Sequence, residues 1–180
     1  CFEKNDFERL DAFLTYFQNT MLQMKDSKLP VIAAPVGMSI GGGFEVVLHA
    51  DHVVSHANSV MGLVESFVGV VPAGGGCKEM LYRWTEKLND TQKGAWKSFM
   101  NIGLGRKANS PQEADALAMR RADDVFQMNR DRILNIALSK LDDTKKASQR
   151  SPLALSGAEH FKEMLEWLEV NNKKGMLTPH

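Results

Sequence analysis

The stretch LPVIAAPVGMSIGGGFE, residues 29–45, opens on an apolar run and closes on three consecutive glycines and a lone acid. Pro30 followed by Val31 to Ala34 suits a buried strand. Gly37 to Gly43 reads as a glycine-rich turn, and Phe44 to Ala50 as a short helix whose first amides open onto it. Next, His52–Ser55 and Ser59–Met61 read as two short strands. A second glycine-rich turn, Pro72 to Gly76, leads into a helix at Cys77–Trp84. Each glycine turn therefore feeds a helix N-terminus.

The charge pattern isolates this region. The 180 residues carry 22 Lys and Arg against 22 Asp and Glu, with 43% hydrophobic and 24% charged residues. That composition is ordinary for a globular protein and excludes wholesale disorder. Zero net charge argues against a nucleic-acid binder or a basic membrane-surface module. Yet residues 29–77 contain no Lys or Arg, only three acids (Glu45, Asp51 and Glu65) and 9 of the 14 glycines. The longest uncharged stretch, Leu29 to Phe44, is too short and too broken to span a bilayer. Cys1 and Cys77 make neither a disulfide framework nor a metal-ligand spacing, so a reducing compartment is the default. The chain opens on Cys1 without a signal-like segment, which reads as a piece of a longer protein.

Outside the block, helices dominate. Phe7, Leu10, Phe13, Leu14, Phe17, Met21 and Met24 recur at helical steps over 6–25, with Asn5 or Asp6 as cap, and read as a core stripe. Residues 86–98 are polar with scattered aromatics. Ser110-Pro111-Gln112-Glu113 is a helix start with cap, first-turn proline and capping-box acid. A helical stripe runs through Asn129–Leu141, residues 142–151 read as a charged linker, and 158–170 as a last helix stopped by Gly175. The expected division is a core over 1–140 and a linker with a helical segment over 141–180.

Several chemistries compete for the glycine turns. The dinucleotide fingerprint fails because Val46 stands where its third glycine belongs, and no Lys-Ser or Lys-Thr completes a phosphate loop. Gly37-Met38-Ser39-Ile40-Gly41 matches the nucleophile elbow of serine hydrolases, but beyond residue 85, where its acid and histidine would follow later strands, the chain reads as helices and offers only His160 and His180. His49, His52 and His56 lack the carboxylate company of a metal site and read as structural, so no metal is expected. Glu45 and Glu65, 20 residues apart, each adjoin a glycine turn in sequence without a cation. Sharing one site, they would split into acid and base. Alternatively, Glu45 simply favours a helix N-terminus and Glu65 points to solvent.

Residues 29–45, together with Met61-Gly62-Leu63-Val64-Glu65 and Gly69-Val70-Val71-Pro72-Ala73-Gly74-Gly75-Gly76, resemble the two signatures of the enoyl-CoA hydratase/isomerase (crotonase) family. A weaker likeness runs over 102–138. The resemblance implies an α/β superhelix of strand-strand-helix units, some of them upstream of Cys1, with a helical C-terminal region. It implies Glu45 and Glu65 as the catalytic pair and the Gly42 amide as one oxyanion donor. The other donor would lie upstream of Cys1. Gly41, Val64, Pro72 and Ala73 would contact substrate, Ala73 through a backbone amide that holds water, while Ser39 has no catalytic counterpart. The implied reaction is syn hydration of a 2-enoyl-CoA in fatty-acid β-oxidation, with Glu45 as base and Glu65 as acid. An isomerase or other acyl-CoA lyase, or a catalytically silent piece, are the alternatives.

The sequences around Gly62, Pro72–Leu81 and Met128–Arg132 look most like hydratase domains fused behind NAD-dependent 3-hydroxyacyl-CoA dehydrogenases in bacteria. That likeness implies a cytoplasmic homo-oligomer, trimer or hexamer, with a dehydrogenase domain upstream. It implies no cofactor in this chain besides the coenzyme A of the substrate, and no NAD site.

Overall fold

The computed structural model of the protein describes residues 6–146 and 150–177. Cys1, Asn5 and His180 lie outside the described residues. Helix α1 (Phe7–Asp26) starts where Asp6 accepts a hydrogen bond from the Arg9 amide. Two strand-strand-helix units follow. The first comprises β1 (Ile32–Ala33), β2 (Met38–Ile40) and α2 (Gly42–His49). The second comprises β3 (His52–His56), β4 (Val60–Gly62), a 3-10 turn at Glu65–Val68 and α3 (Gly76–Leu88).

The units stack as turns of a coil. Strand β1 pairs in parallel with β3, Ile32 opposite His52, and β2 pairs in parallel with β4, Ser39 opposite Met61. Parallel partners need a crossover, and each crossover here carries its helix. Later elements complete two three-stranded sheets. Strand β5 (Lys107–Ala108) joins β4 antiparallel, and β6 (Val125–Gln127) joins β3 in parallel. The expected superhelix is therefore present. Successive residues of β3 face opposite sides, so Val53 enters the main core with Phe44, Leu48, Met61, Met80 and Trp84, whereas Val54 packs with Ile133 and Ala137.

The helical region departs from expectation in one place. Residues 86–98 are not a loose polar connection. Most of them belong to α3 and to α4 (Thr91–Gly103), which Asp90 caps through the Lys93 amide. Helix α4 buries small and polar residues, Gly94, Ser98 and Asn101, against α3. A Cβ on Gly94 would lie 2.6 Å from Thr85 Oγ1. An apolar stripe was therefore the wrong signal to seek. Helices α5 (Pro111–Ala116), α6 (Ile133–Ser139) and α7 (Ala158–Lys173) follow, with Ser110 capping α5 as its motif predicts. The Trp167 ring of α7 meets Trp96 and Phe99 of α4 edge-on. Among the described residues no helix is long and apolar enough to cross a membrane.

Cations absent from residues 29–77 arrive from elsewhere, and they avoid two of the three acids. Asp51 accepts from the Val31 amide and from Lys146, both at 2.8 Å, which gives the third acid of the block a structural role. Fully buried Glu79 is gripped by Lys25 at 2.7 Å and Arg150 at 2.9 Å.

Candidate active site

Glu45 is 1% exposed on the first turn of α2, yet its carboxylate reaches the other unit. Oε2 accepts from the Gly74 amide at 3.1 Å and Oε1 from the Gly76 amide at 2.7 Å. Glycine is required at both places. A Cβ on either would sit 2.8 Å from a Glu45 oxygen, and on Gly74 it would also meet the Phe17 ring. Gly76→Ala is expected to cost about 1–3 kcal/mol of stability by overpacking, because Leu63 closes the other side. Chemical denaturation reads this directly, and an unchanged midpoint would show that the carboxylate is not held there.

Glu65 mirrors this arrangement. It precedes the second glycine turn but lies against the first, with Oε1 3.5 Å from where a Gly41 Cβ would be. Both of its oxygens are buried without a hydrogen-bond partner. Burial raises its pKa above the ordinary carboxyl value, and the negative charge of Glu45 adds to the rise. Each acid thus lies against the turn that belongs to the other, though only Glu45 is hydrogen-bonded there. One is a fully engaged acceptor and the other an idle carboxyl that holds its proton to higher pH.

The two acids border a single cleft of about 490 Å³. Its walls are Phe13, Leu14 and Phe17 of α1, with Val46 and Val71, and its polar edge is Gly42, Glu45, Glu65 and Ala73. No Lys, Arg or His is among these lining residues. Positive potential can come from backbone amides, above all that of Gly42, which as the first residue of α2 has no intrahelical acceptor.

The structure therefore gathers Gly42, Glu45, Glu65 and Ala73 into one cleft and sets Gly41 beside Glu65. Val64 and Pro72 are not among the lining residues. Val64 caps the 3-10 turn, and the Pro72 carbonyl faces the Cys77 thiol. The aromatic face of α1 is not the core stripe its periodicity suggests. Only Met21 of that helix is buried, and Phe13 is 62% exposed. Periodicity identifies a face but not its neighbour, which here is the cleft.

Rival chemistries lose their geometry. Ser39 lies within β2, opposite Met61, rather than at a strand-to-helix turn, so the elbow is absent. His160 bonds to the Gln92 carbonyl. His49 donates from Nδ1 to the Glu45 carbonyl at 2.7 Å, and burial lowers its pKa from the ordinary imidazole value. His56 contacts the Met128 carbonyl. His52 does gain acidic neighbours, Asp123 and Asp124 at 4.0 and 3.9 Å, from a loop 71 residues away that its own sequence context cannot reveal. Both Asp124 oxygens are already committed, however, to the amides of Val53 and Arg121, and the trio reads as a loop tie.

The chain is similar to known proteins in sequence and in fold. The sequence model described as enoyl-CoA hydratase/isomerase matches residues 4–88. A probable 3-hydroxyacyl-CoA dehydrogenase of Bacillus subtilis (strain 168) is 31% identical over 182 residues, which is 99% of this chain and 23% of that protein. A putative fatty acid oxidation complex trifunctional enzyme of Rickettsia felis is 37% identical over 81 residues, 45% of this chain and 11% of the relative. The chain thus spans less than a quarter of these relatives. Among solved structures, an enoyl-CoA hydratase from Polaromonas sp. JS666 superposes with a TM-score of 0.63 at 23% identity, covering 79% of this chain and 50% of that one.

Proposed function

Residues 4–88 carry the enoyl-CoA hydratase/isomerase pattern and the chain carries the crotonase fold; from that premise we propose that the protein adds water to the double bond of a 2-enoyl-CoA thioester. The observation that carries this reading is the crossed acid pair. A carboxylate held by two amides faces a carboxyl with no partner, across a cleft that lacks any cationic side chain.

The parts divide the work as follows. Glu45, an acceptor fixed in place, takes a proton from water as its oxygen attacks C3. Electron density moves from the C2=C3 bond onto the thioester oxygen, where the Gly42 amide receives it. Glu65, which holds its proton, delivers it to C2 and restores the carbonyl. In this reading the two acids, which border one cleft, deliver hydroxyl and proton to the same face of the planar enoyl group, a syn addition. General acid–base assistance contributes roughly 10²–10⁴ in rate and an oxyanion donor roughly 10²–10³. The names of the B. subtilis and R. felis relatives support a place in fatty-acid β-oxidation, where a 3-hydroxyacyl-CoA dehydrogenase uses the product.

The test is to offer the intact protein crotonyl-CoA and a 3-enoyl-CoA and to follow the conjugated thioester absorbance. Hydration consumes the first, whereas an isomerase generates absorbance from the second. Preferential turnover of the 3-enoyl substrate would overturn the proposal. A second result is expected at Glu65. As acid, it should make turnover fall as pH rises through its elevated pKa, and Glu65→Gln should remove that limb. The same variant should also hold or gain thermal stability at neutral pH, because it no longer buries an ionisable group without a partner. A marked loss of melting temperature would contradict this.

A further inference from the structure

A second cleft, of about 560 Å³, opens at the other end of α2 and shares no lining residue with the first. Four cations line it, Arg83, Lys87, Arg120 and Arg121, against two acids, Glu86 and Asp115. The acids leave much of that charge unopposed. Glu86 is engaged by Arg150 at 3.1 Å, and the Asp115 carboxylate meets Arg120 at 3.5 Å from an exposed position.

The cations are instead positioned by uncharged carbonyls. Arg83, 4% exposed, donates to the carbonyls of Met119 and Leu48 at 3.0 and 3.4 Å. Arg121 donates to the Ala50 carbonyl at 3.1 Å and Arg120 to that of Asp124 at 2.6 Å. Lys87 donates to the carbonyls of Asp115 and Ala116. Among the described residues no carboxylate lies within ion-pair distance of Arg83, Lys87 or Arg121. The Nε atoms of Arg83 and Arg120 are buried without any partner. Burying a guanidinium without a counter-charge is expensive. Burial and the neighbouring charge of Arg121 lower the Arg83 pKa to about 9, against the opposing charges of Asp124 and Glu79 beyond ion-pair distance. The rim also holds Ala118 in the left-handed region at φ 55°, a conformation that costs energy at a residue with a Cβ.

A buried guanidinium without an ion-pair partner, two idle Nε donors and a surplus of cations in one concavity are the features of an anion site. We propose that this cleft binds a nucleotide-sized phosphate ester. Guanidinium forks suit phosphate oxygens, a surplus of cations suits a dianionic group, and the volume exceeds what a lone ion fills. The site lies about 12 Å, the length of α2, from the Gly42 amide and is separate from the catalytic cleft.

Calorimetric titration of the intact protein at low salt, with ADP and with inorganic pyrophosphate as probes, tests this. The double variant Lys87→Ala/Arg121→Ala should weaken binding at least tenfold, and hydration of crotonyl-CoA should stay within twofold of the wild-type rate. Arg83→Lys, which keeps the buried charge but loses the fork, should weaken binding without unfolding the core. ADP binding tenfold tighter than pyrophosphate would support a nucleotide, and equal binding would support the phosphate groups alone. Absence of binding of both probes to the wild type, or unchanged binding in the double variant, would overturn the proposal. So would a tenfold rise in KM for crotonyl-CoA in the double variant, which would make the cleft part of the acyl-CoA site.

Discussion

Glu45→Gln is expected to lower kcat for 2-enoyl-CoA hydration by roughly 10²–10⁴, with a far smaller change in KM. The proposed reaction and the fold together give the side chain two jobs, and glutamine fails at both. As base, the carboxylate accepts the water proton, which an amide cannot do at neutral pH. As ligand of the second glycine turn, it offers one oxygen to Gly74 and the other to Gly76. Glutamine has one oxygen, so its NH₂ must face one of those N–H groups. A buried donor left without an acceptor costs about 1–3 kcal/mol. Reduced turnover should therefore come with a lower denaturation midpoint, whereas Glu65→Gln should reduce turnover without that loss. Unchanged kcat in Glu45→Gln would remove the base assignment and with it the proposed reaction.

The largest structural effect is expected at Glu79. Its side chain is fully buried and survives as an anion because Lys25 and Arg150 contact it and Lys78 lies at 3.5 Å. Lys25→Met/Arg150→Met would leave that charge without its two close partners, at a cost of about 3–5 kcal/mol. Acid should act through the same group. Burial alone would raise the Glu79 pKa, but the hydrogen-bonded Lys25 and the charge of Arg150 hold it at about 2. A depressed carboxyl stabilises the fold above its unfolded value, near 4.5, and that contribution is lost as pH falls toward 2. The loss amounts to about 3 kcal/mol. Melting temperature should therefore drop steeply across that window in the wild type and less steeply in Glu79→Gln. Parallel profiles would show that the cluster does not carry the charge.

Local chemistry was legible in the sequence wherever it closes within a few residues. The Ser110 and Asp6 caps, the two glycine turns and the acids beside them announce themselves, because each depends on neighbours along the chain. Strand β2 was hidden inside what reads as one turn, since Gly37 and Gly41, at φ 88° and 57°, bound only three extended residues. Helix α4 was hidden because it packs through Gly94 rather than through an apolar stripe. The acids were identifiable but their crossing was not. That Glu45 binds Gly74 and Gly76, 29 and 31 residues on, follows from the stacking of whole units. Glu79 resembles any surface acid on a helix until partners 54 and 71 residues distant are in place.

The ties made by Lys146 and Arg150 also bear on how the molecule comes apart. They span 95 and 71 residues to Asp51 and Glu79, whereas the β1–β3 and β2–β4 pairings span about 20. Contacts of such long range close after shorter loops have formed, so these belong on the native side of the folding barrier. Breaking them should speed unfolding and leave the folding rate nearly unchanged. The salt bridges that skirt Glu45 and Glu65 are thus expected to act as a latch on lifetime, slowing escape from the folded state without hastening its formation.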